Sequence, residues 1–370
     1  MKIKIQNTTL LGALRKVVPF VNTRNQGLPI LNNALFVADK ADGTLTITGT
    51  DLNKTIVVTV ACDTIEEDGV TTLPVRLLSE IIARVVDGIV EIDVSANHRA
   101  VVRGGQSVFT IQGIAKDQFP TLPVVKDAKT VKIPAKEIKK MIGRVIYAAS
   151  KNEVERKVLC SVLFKFDKGG KVTFVSTDGR RLALAETTCE QEIESEIVFA
   201  LPLNFASELP KFLDTDGDAE IQIEKTQVSF TVGSVKLYSK LFDEGYPNYR
   251  QVIPKDIKDD IVIDRIQLLD AIDRVSVLTG GDSAAVLLTF SKGQLKISTE
   301  NSDIGNACDA VPIKYDGNEF ATKFNPAYLI APLNVIEDDT IRYCTSEGQP
   351  IVIRCSEKML AVLMPLRTES

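Results

Sequence analysis

A strand-then-helix pattern recurs three times along the 370-residue chain, and a chain that repeats at this spacing is built from duplicated domains. Lys2-Ile3-Lys4-Ile5 alternates polar with apolar and leads into an apolar-periodic run ending at Val21. Val131-Lys132-Ile133-Pro134 leads likewise into a run ending at Ser150, and Ile261-Val262-Ile263-Asp264 into one ending at Leu278. Ile3, Ile133 and Ile263 hold matching places, 130 residues apart each time. Alternation marks a strand with two unlike faces, while apolar residues three and four apart mark one face of a helix. A second marker keeps the same beat: 44–51 ends in Gly49-Thr50-Asp51, 171–178 ends in Ser176-Thr177-Asp178, and 294–301 echoes both more weakly. Solenoid repeats run about 20–50 residues, so this longer period points to whole domains.

The repetition goes one level deeper. Strand-like segments at 69–74, 198–202 and 319–325 each lead into another amphipathic run, with Pro74, Pro202 and Pro326 near the helix start. Proline fits the first helical turn, where its missing N–H has no partner to lose. After each helix come roughly three alternating strands, punctuated by turn signals such as Asp42-Gly43, Lys168-Gly169-Gly170 and Lys292-Gly293. The expected fold is therefore α+β, with three similar domains of two strand–helix–strand–strand–strand units each. Domain bounds fall at 1–125, 126–253 and 254–370.

Composition excludes several classes. Apolar residues make up 44% and charged residues 25%, ordinary for a folded soluble chain. No stretch reaches the roughly 20 apolar residues of a membrane span, and the N-terminus does not read as a secretory signal, so a cytoplasmic location is expected. Six cysteines (Cys62, Cys160, Cys189, Cys308, Cys344, Cys355) lie far apart, without the close pairs of a zinc site; they read as reduced, mostly buried thiols. The single histidine, His98, reads as a solvated hairpin-turn residue. Neither a phosphate loop nor a dinucleotide fingerprint is present, and Asp338-Asp339 and Glu66-Glu67-Asp68 read as solvated turns. No catalytic residue, metal or cofactor is expected.

The net charge of −5 argues against nucleic acid until its distribution is considered. Helices taken as 7–21, 75–87, 135–151, 203–213, 265–280 and 326–336 hold twelve Lys/Arg against six Asp/Glu, leaving −11 for the rest. Helix 135–151 supplies most of the excess. Its apolar stripe runs through Ile138, Met141, Ile142, Val145 and Ile146, with Lys136, Lys140, Arg144 and Lys151 largely opposite. A solvated helix face would explain this helix taken singly. Arg15, Lys16, Arg76, Arg84, Arg265 and Arg274 lie on repeats of the same element. Together such residues would attract phosphates without reading bases. Tryptophan is absent and aromatic stacking platforms are not evident, which favours duplex over single-strand contact.

Several segments resemble signature stretches of the bacterial DNA polymerase III beta subunit, the sliding-clamp family. They are Leu28-Pro29-Ile30-Leu31-Asn32-Asn33, Gly49-Thr50-Asp51-Leu52, Thr177-Asp178-Gly179-Arg180-Arg181-Leu182-Ala183, 239–249 and Met364-Pro365-Leu366-Arg367. The likeness spans the whole chain in the right order. It implies a head-to-tail homodimer that closes as a ring around duplex DNA, helices inside and sheets outside. Such a ring slides on DNA and tethers the replicative DNA polymerase as a non-catalytic processivity factor. The resemblance also implies a clamp loader and other proteins carrying a clamp-binding motif as partners.

By the same resemblance, DNA-facing positions include Arg24, Arg76 and the loop residues Arg156 and Lys157, beside the helical Lys136, Lys140 and Arg144. The 149–159 loop departs from the family's shorter spacing and its arginine followed by proline. A groove for a glutamine-and-hydrophobic partner peptide is implied at Leu159, Thr177, Gly179, Arg180, Arg181, Leu182, Pro247 and Val252. Its other side is implied at Asn325, Tyr328, Pro350, Val362, Met364, Pro365, Leu366 and Arg367. The ring contact would join an edge around Phe109 and Ile111 to residues near Leu278. Two alternatives stand beside the clamp: a protein-binding adaptor that never encircles DNA, and a hydrolase using scattered carboxylates.

Overall fold

The computed structural model describes residues 1–21, 28–86, 88–121, 128–152, 156–254, 260–279, 285–301, 305–355 and 358–366. The first third reads β1 (Lys2–Gln6), α1 (Asn7–Val17), β2 (Asn33–Asp39), β3 (Thr44–Thr50), β4 (Lys54–Ala61) and β5 (Thr64–Glu67). It continues with β6 (Gly69–Pro74), α2 (Val75–Ile82), β7 (Ile89–Val94), β8 (Arg99–Gly104) and β9 (Ser107–Gln112). The middle third holds β10 (Lys129–Pro134), α3 (Ala135–Val145), β11 (Ser161–Phe166), β12 (Lys171–Thr177) and β13 (Arg181–Thr188). After these come β14 (Ile197–Pro202), α4 (Leu203–Ala206), β15 (Asp218–Ile223), β16 (Gln227–Val232) and β17 (Val235–Lys240). The last third begins with β18 (Asp260–Asp264), α5 (Arg265–Ser276), β19 (Val286–Ser291), β20 (Gln294–Asn301) and β21 (Gly305–Lys314). It ends with β22 (Phe320–Phe324), α6 (Pro326–Val335), β23 (Thr340–Cys344), β24 (Ile351–Arg354) and β25 (Met359–Leu363).

Among the described residues this is six copies of strand–helix–strand–strand–strand, as the repeat predicts, with β5 as the one addition. The helices are shorter than their periodicity. α1 gives way to a 3₁₀ turn at Val18–Phe20, and α3 to one at Ile146–Ala148. The expected helix over 203–213 is only α4 followed by a 3₁₀ turn at Leu209–Phe212. Pro210 has no N–H to give the carbonyl of Ala206, so an α-helix cannot run through it. Elsewhere local chemistry fixes the starts. Asp264 accepts a bond from the Gln267 N–H (2.9 Å) to open α5. Asn325 does the same for the Ala327 N–H (2.9 Å) ahead of Pro326 in α6.

The chain forms two compact units. The first comprises Met1–Ala135 and Lys211–Leu241. It holds a five-stranded sheet, β5-β1-β7-β8-β9, and an eight-stranded one, β10-β15-β16-β17-β4-β3-β2-β6. α1 packs on α2, burying Leu10, Leu14 and Val17 completely. Truncating Leu10 or Leu14 to alanine should cost about 2–5 kcal/mol, because the surroundings close only part of the void. The second unit comprises Lys136–Pro210 and Phe242–Ser370. Its twelve strands run β14-β11-β12-β13-β25-β24-β23-β18-β21-β20-β19-β22, and α5 packs on α6 over a core that includes Phe290, Phe324 and Tyr343.

Two strand pairs join one repeat to the next: β4 with β17 in the first unit and β13 with β25 in the second. None of the six cysteines, all among the described residues, is in a disulfide. Cys160 and Cys344 are buried while Cys308 is exposed, so fewer are buried than expected. His98 does sit in the β7–β8 turn, but half-buried, with Nδ1 3.4 Å from Thr71 Oγ1. Among the described residues, no helix is long and apolar enough to cross a membrane.

Candidate functional site

The pairing of β13 with β25 makes a seam that carries the candidate groove. Leu182 stands opposite Val362 in register, each only 1% exposed, and Arg181 stands opposite Leu363. An apolar cluster of Leu163, Val175, Leu182, Leu184, Tyr249, Val352 and Val362 runs along the seam, with Tyr246 and Ile253 packed against it; Leu182 and Val362 are the register pair under the groove. Pro247 and Val252 belong to that same connecting segment; Val252 is 48% exposed.

One wall is the turn between β12 and β13, held by its own side chains. Thr177 Oγ1 donates to the Arg181 carbonyl (2.7 Å) and accepts from the Gly179 N–H (3.1 Å). Asp178 Oδ1 accepts from the Arg180 and Arg181 N–H groups (2.9 and 3.0 Å), the usual way a short carboxylate stabilises a turn. Gly179 sits at φ +84°, and a Cβ built there meets no atom within 4 Å, so the space above it is open. Asp178 also pairs with Arg181 (Oδ2 to Nε, 3.1 Å), whose guanidinium lies near two aromatic rings. It lies 4.5 Å from the ring centre of Tyr328 and 5.7 Å from that of Tyr147. Tyr328 is on the first turn of α6, which Asn325 caps.

The other wall is the segment after β25. The Met364 N–H donates to the Arg180 carbonyl (2.9 Å) and the Leu366 N–H to the Lys323 carbonyl (2.8 Å). This backbone is tied down at both ends, yet Met364 is 42% and Leu366 37% exposed, so apolar side chains face outward from a fixed frame. Pro365 lies between them, and Pro350 precedes Ile351, the other strand partner of Leu363. Burial pushes the phenols of Tyr147 and Tyr246 above their ordinary pKa, so both stay neutral across the working range.

These contacts bring together Thr177, Gly179, Arg180, Arg181, Leu182, Asn325, Tyr328, Val362, Met364 and Leu366. Leu159 is held by a different bond, its carbonyl accepting from the Ser150 N–H (2.9 Å). Arg367 lies outside the described residues. Asp178 and Tyr147 are the members the sequence reading missed. Asp178 was signalled by its place in Thr-Asp-Gly; nothing local links Tyr147 to Arg181.

The first unit carries a copy of the same turn. Thr50 Oγ1 donates to the Lys54 carbonyl (3.1 Å) and accepts from the Leu52 N–H (3.1 Å). Asp51 Oδ1 accepts from the Asn53 and Lys54 N–H groups (2.9 and 2.8 Å). Lys54 lies over the Phe20 ring (5.0 Å) much as Arg181 lies over Tyr147. The difference is Leu52, which takes φ +75° where the second copy has glycine.

The basic candidates divide. Arg76, Lys136, Lys140, Arg156 and Lys157 are exposed, and Lys140 pairs with Glu337 (3.3 Å). Arg24 lies outside the described residues. Arg144 corrects the helix-face reading, being only 7% exposed. It follows Met141 by three residues and therefore shares the flank of the buried stripe. Its charge reaches the Cys355 thiol, whose pKa burial raises and Arg144 opposes. Among the described residues, no group of three or more His, Cys, Asp or Glu side chains is set to hold a metal.

At the expected ring contact, β9 is an edge strand of the five-stranded sheet. Phe109 is half-buried, but Ile111 is 6% exposed and offers this edge its backbone rather than a free side chain. Val108, at 63% exposure, is the apolar side chain facing out. In the second unit β21 pairs with β20 along 305–312 but meets β18 only at Ile313 and Lys314. Among the described residues, its first part is thus an open edge. Arg274 of α5 pairs with Asp309 on it (2.8 Å), and the next residues in line are Val277, 79% exposed, and the half-buried Leu278.

Three family profiles match in series. The N-terminal domain of the DNA polymerase III beta subunit matches residues 1–123, its central domain 132–248 and its C-terminal domain 250–367. The beta sliding clamp of Bacillus subtilis is 29% identical over an alignment covering all of both proteins. That of Pseudomonas aeruginosa is 29% identical over 99% of this chain and all of the relative. A solved Pseudomonas aeruginosa beta subunit superposes with a TM-score of 0.93 at 29% identity, covering 99% of this chain and 100% of that one. The solved Bacillus subtilis sliding clamp gives 0.93 at 29%, covering 100% and 99%.

Proposed function

Because the chain belongs to the DNA polymerase III beta-subunit family, the sliding clamps that act as processivity factors in DNA replication, we propose that two copies close head to tail around duplex DNA. In this reading the three domains run 1–125, 126–253 and 254–370, helices toward the DNA and sheets outward. A heterologous contact that closes gives a ring rather than a filament. The open edges of β9 and of β21 support this reading, since edge-to-edge pairing would hide backbone groups that otherwise invite aggregation. Phe109, Val108, Val277 and Leu278 would fill that contact. Encirclement holds the DNA by topology, so Arg24, Arg76, Lys136, Lys140, Arg156 and Lys157 need only touch phosphates weakly.

The β13–β25 groove takes a short peptide from the replicative polymerase, the clamp loader or another clamp-binding protein. An apolar floor supplies affinity, and the fixed turn and Arg181 supply orientation. Tethering raises the polymerase's effective concentration at the primer end, and no bond is made or broken by this chain. The observation that carries the reading is the frame around Arg181, where a turn, a helix start and the chain after β25 converge on one apolar seam. The protein acts in the cytoplasm.

The test has two stages. Size-exclusion chromatography with light scattering and negative-stain imaging should give twice the one-chain mass and a central hole. The clamp loader should then place it on nicked circular DNA, from which linearisation releases it. A solid monomer at micromolar concentration, or binding indifferent to DNA topology, would leave the protein-only adaptor as the better reading.

A further inference from the structure

On the same sheet face as the groove, farther along the seam, lies a second cavity of about 510 Å³. Leu184 and Leu360, opposite one another in register, form its floor. They are two residues along their strands from Leu182 and Val362, the register pair under the groove. A strand rises about 3.3 Å per residue, so the two floors lie ~7 Å apart on one face. The connecting segment walls the cavity with Tyr249 and Ile253, whose neighbours Pro247 and Val252 belong to the groove.

The rim is strongly basic for a chain of net charge −5. Lys171 and Glu186 neutralise each other at 2.7 Å. Arg250, Arg354 and Lys358 remain around the opening, and among the described residues none of the three is in an ion pair. Arg250 rests against the ring of Tyr249, its guanidinium carbon 5.9 Å from the centre. An apolar floor beneath three cations is unsuited to a neutral lipid-like guest and to a purely ionic one. It suits an apolar side chain with carboxylates beside it.

We infer that this cavity is an auxiliary subsite for the acidic, apolar flank of the same partner segment that occupies the groove. The inference rests on the groove being the partner site. Spacing favours one occupant, since an extended chain covers ~7 Å in two residues. Linking two contacts in one peptide makes the second intramolecular, so a modest subsite gives a measurable gain.

Three fluorescent peptides bound to the full-length protein test this. One is a short glutamine-and-hydrophobic core; the others carry Glu-Leu-Glu before or after it. One extension should tighten binding about tenfold at low salt, with the gain shrinking as salt rises. Arg354→Glu with Lys358→Glu should abolish that gain and leave the core peptide's affinity unchanged. Arg250→Ala, with no charge reversal, should reduce it, and a Lys-Leu-Lys extension should give none. If neither extension helps, or the gain survives the double variant with the fold intact by circular dichroism, the subsite is wrong while the groove stands. Failure of the core peptide itself to bind would instead remove the groove reading, and the subsite with it.

Discussion

The guanidinium of Arg181 lies 4.5 Å from the ring centre of Tyr328, tying a turn in the middle of the chain to the start of α6. Asp178 pairs with the same group at 3.1 Å. A cation over an aromatic ring contributes about 0.5–2 kcal/mol, more when desolvated. Arg181→Ala should therefore weaken partner-peptide binding about tenfold. Fluorescence anisotropy checks this, and an unchanged affinity would mean that the guanidinium does not shape the groove.

Leu278 follows α5, beside the open edge of β21. A carboxylate placed in an apolar contact must be desolvated without a partner. Leu278→Asp should give monomers by light scattering at micromolar concentration. A stable dimer would refute its assignment to the ring contact.

Tyr343 is fully buried, and among the described residues its hydroxyl has no hydrogen-bond partner. An unsatisfied buried hydroxyl is a liability, so Tyr343→Phe should raise stability by about 1 kcal/mol. Urea denaturation reads this as a higher midpoint at unchanged slope.

Glu66 on β5 pairs with Lys2 (2.7 Å) and Lys4 (2.9 Å) on β1, and these bonds lower its pKa to about 2. A carboxyl whose folded pKa is depressed stabilises the fold above its unfolded pKa and loses that contribution as pH falls through the folded value. The contribution should fade between the ordinary carboxylate range and about pH 2. Glu66→Gln should flatten that segment of a melting-temperature profile. The residue is exposed, so the difference should also shrink in high salt.

The repeat was legible because strand and helix differ in period, and that difference survives in each of the six copies. β5 was not, since Thr64-Ile65-Glu66-Glu67 is short and polar and is held by lysines far away in sequence. Pro210 stopped a helix that its flanking apolar residues would otherwise continue. The groove's turn could be read from Thr177-Asp178-Gly179, where each residue type has a local reason. Tyr147 could not, because its ring reaches Arg181 only through tertiary packing. Arg144 shows the limit of a helical wheel: a residue at the margin of the stripe is buried or solvated according to what another element places against it.

If partners dock in the proposed groove, the seam between β13 and β25 makes their recruitment conditional on correct assembly. Strand side chains alternate faces, so a slip of one residue would turn Leu182 or Val362 away and put Ala183 or Ala361 in its place. The floor exists only when the second and third repeats have zipped together in the native register. A partner docking there would thereby inspect the joint, and a clamp joined wrongly would go unrecognised rather than halt a polymerase on the template.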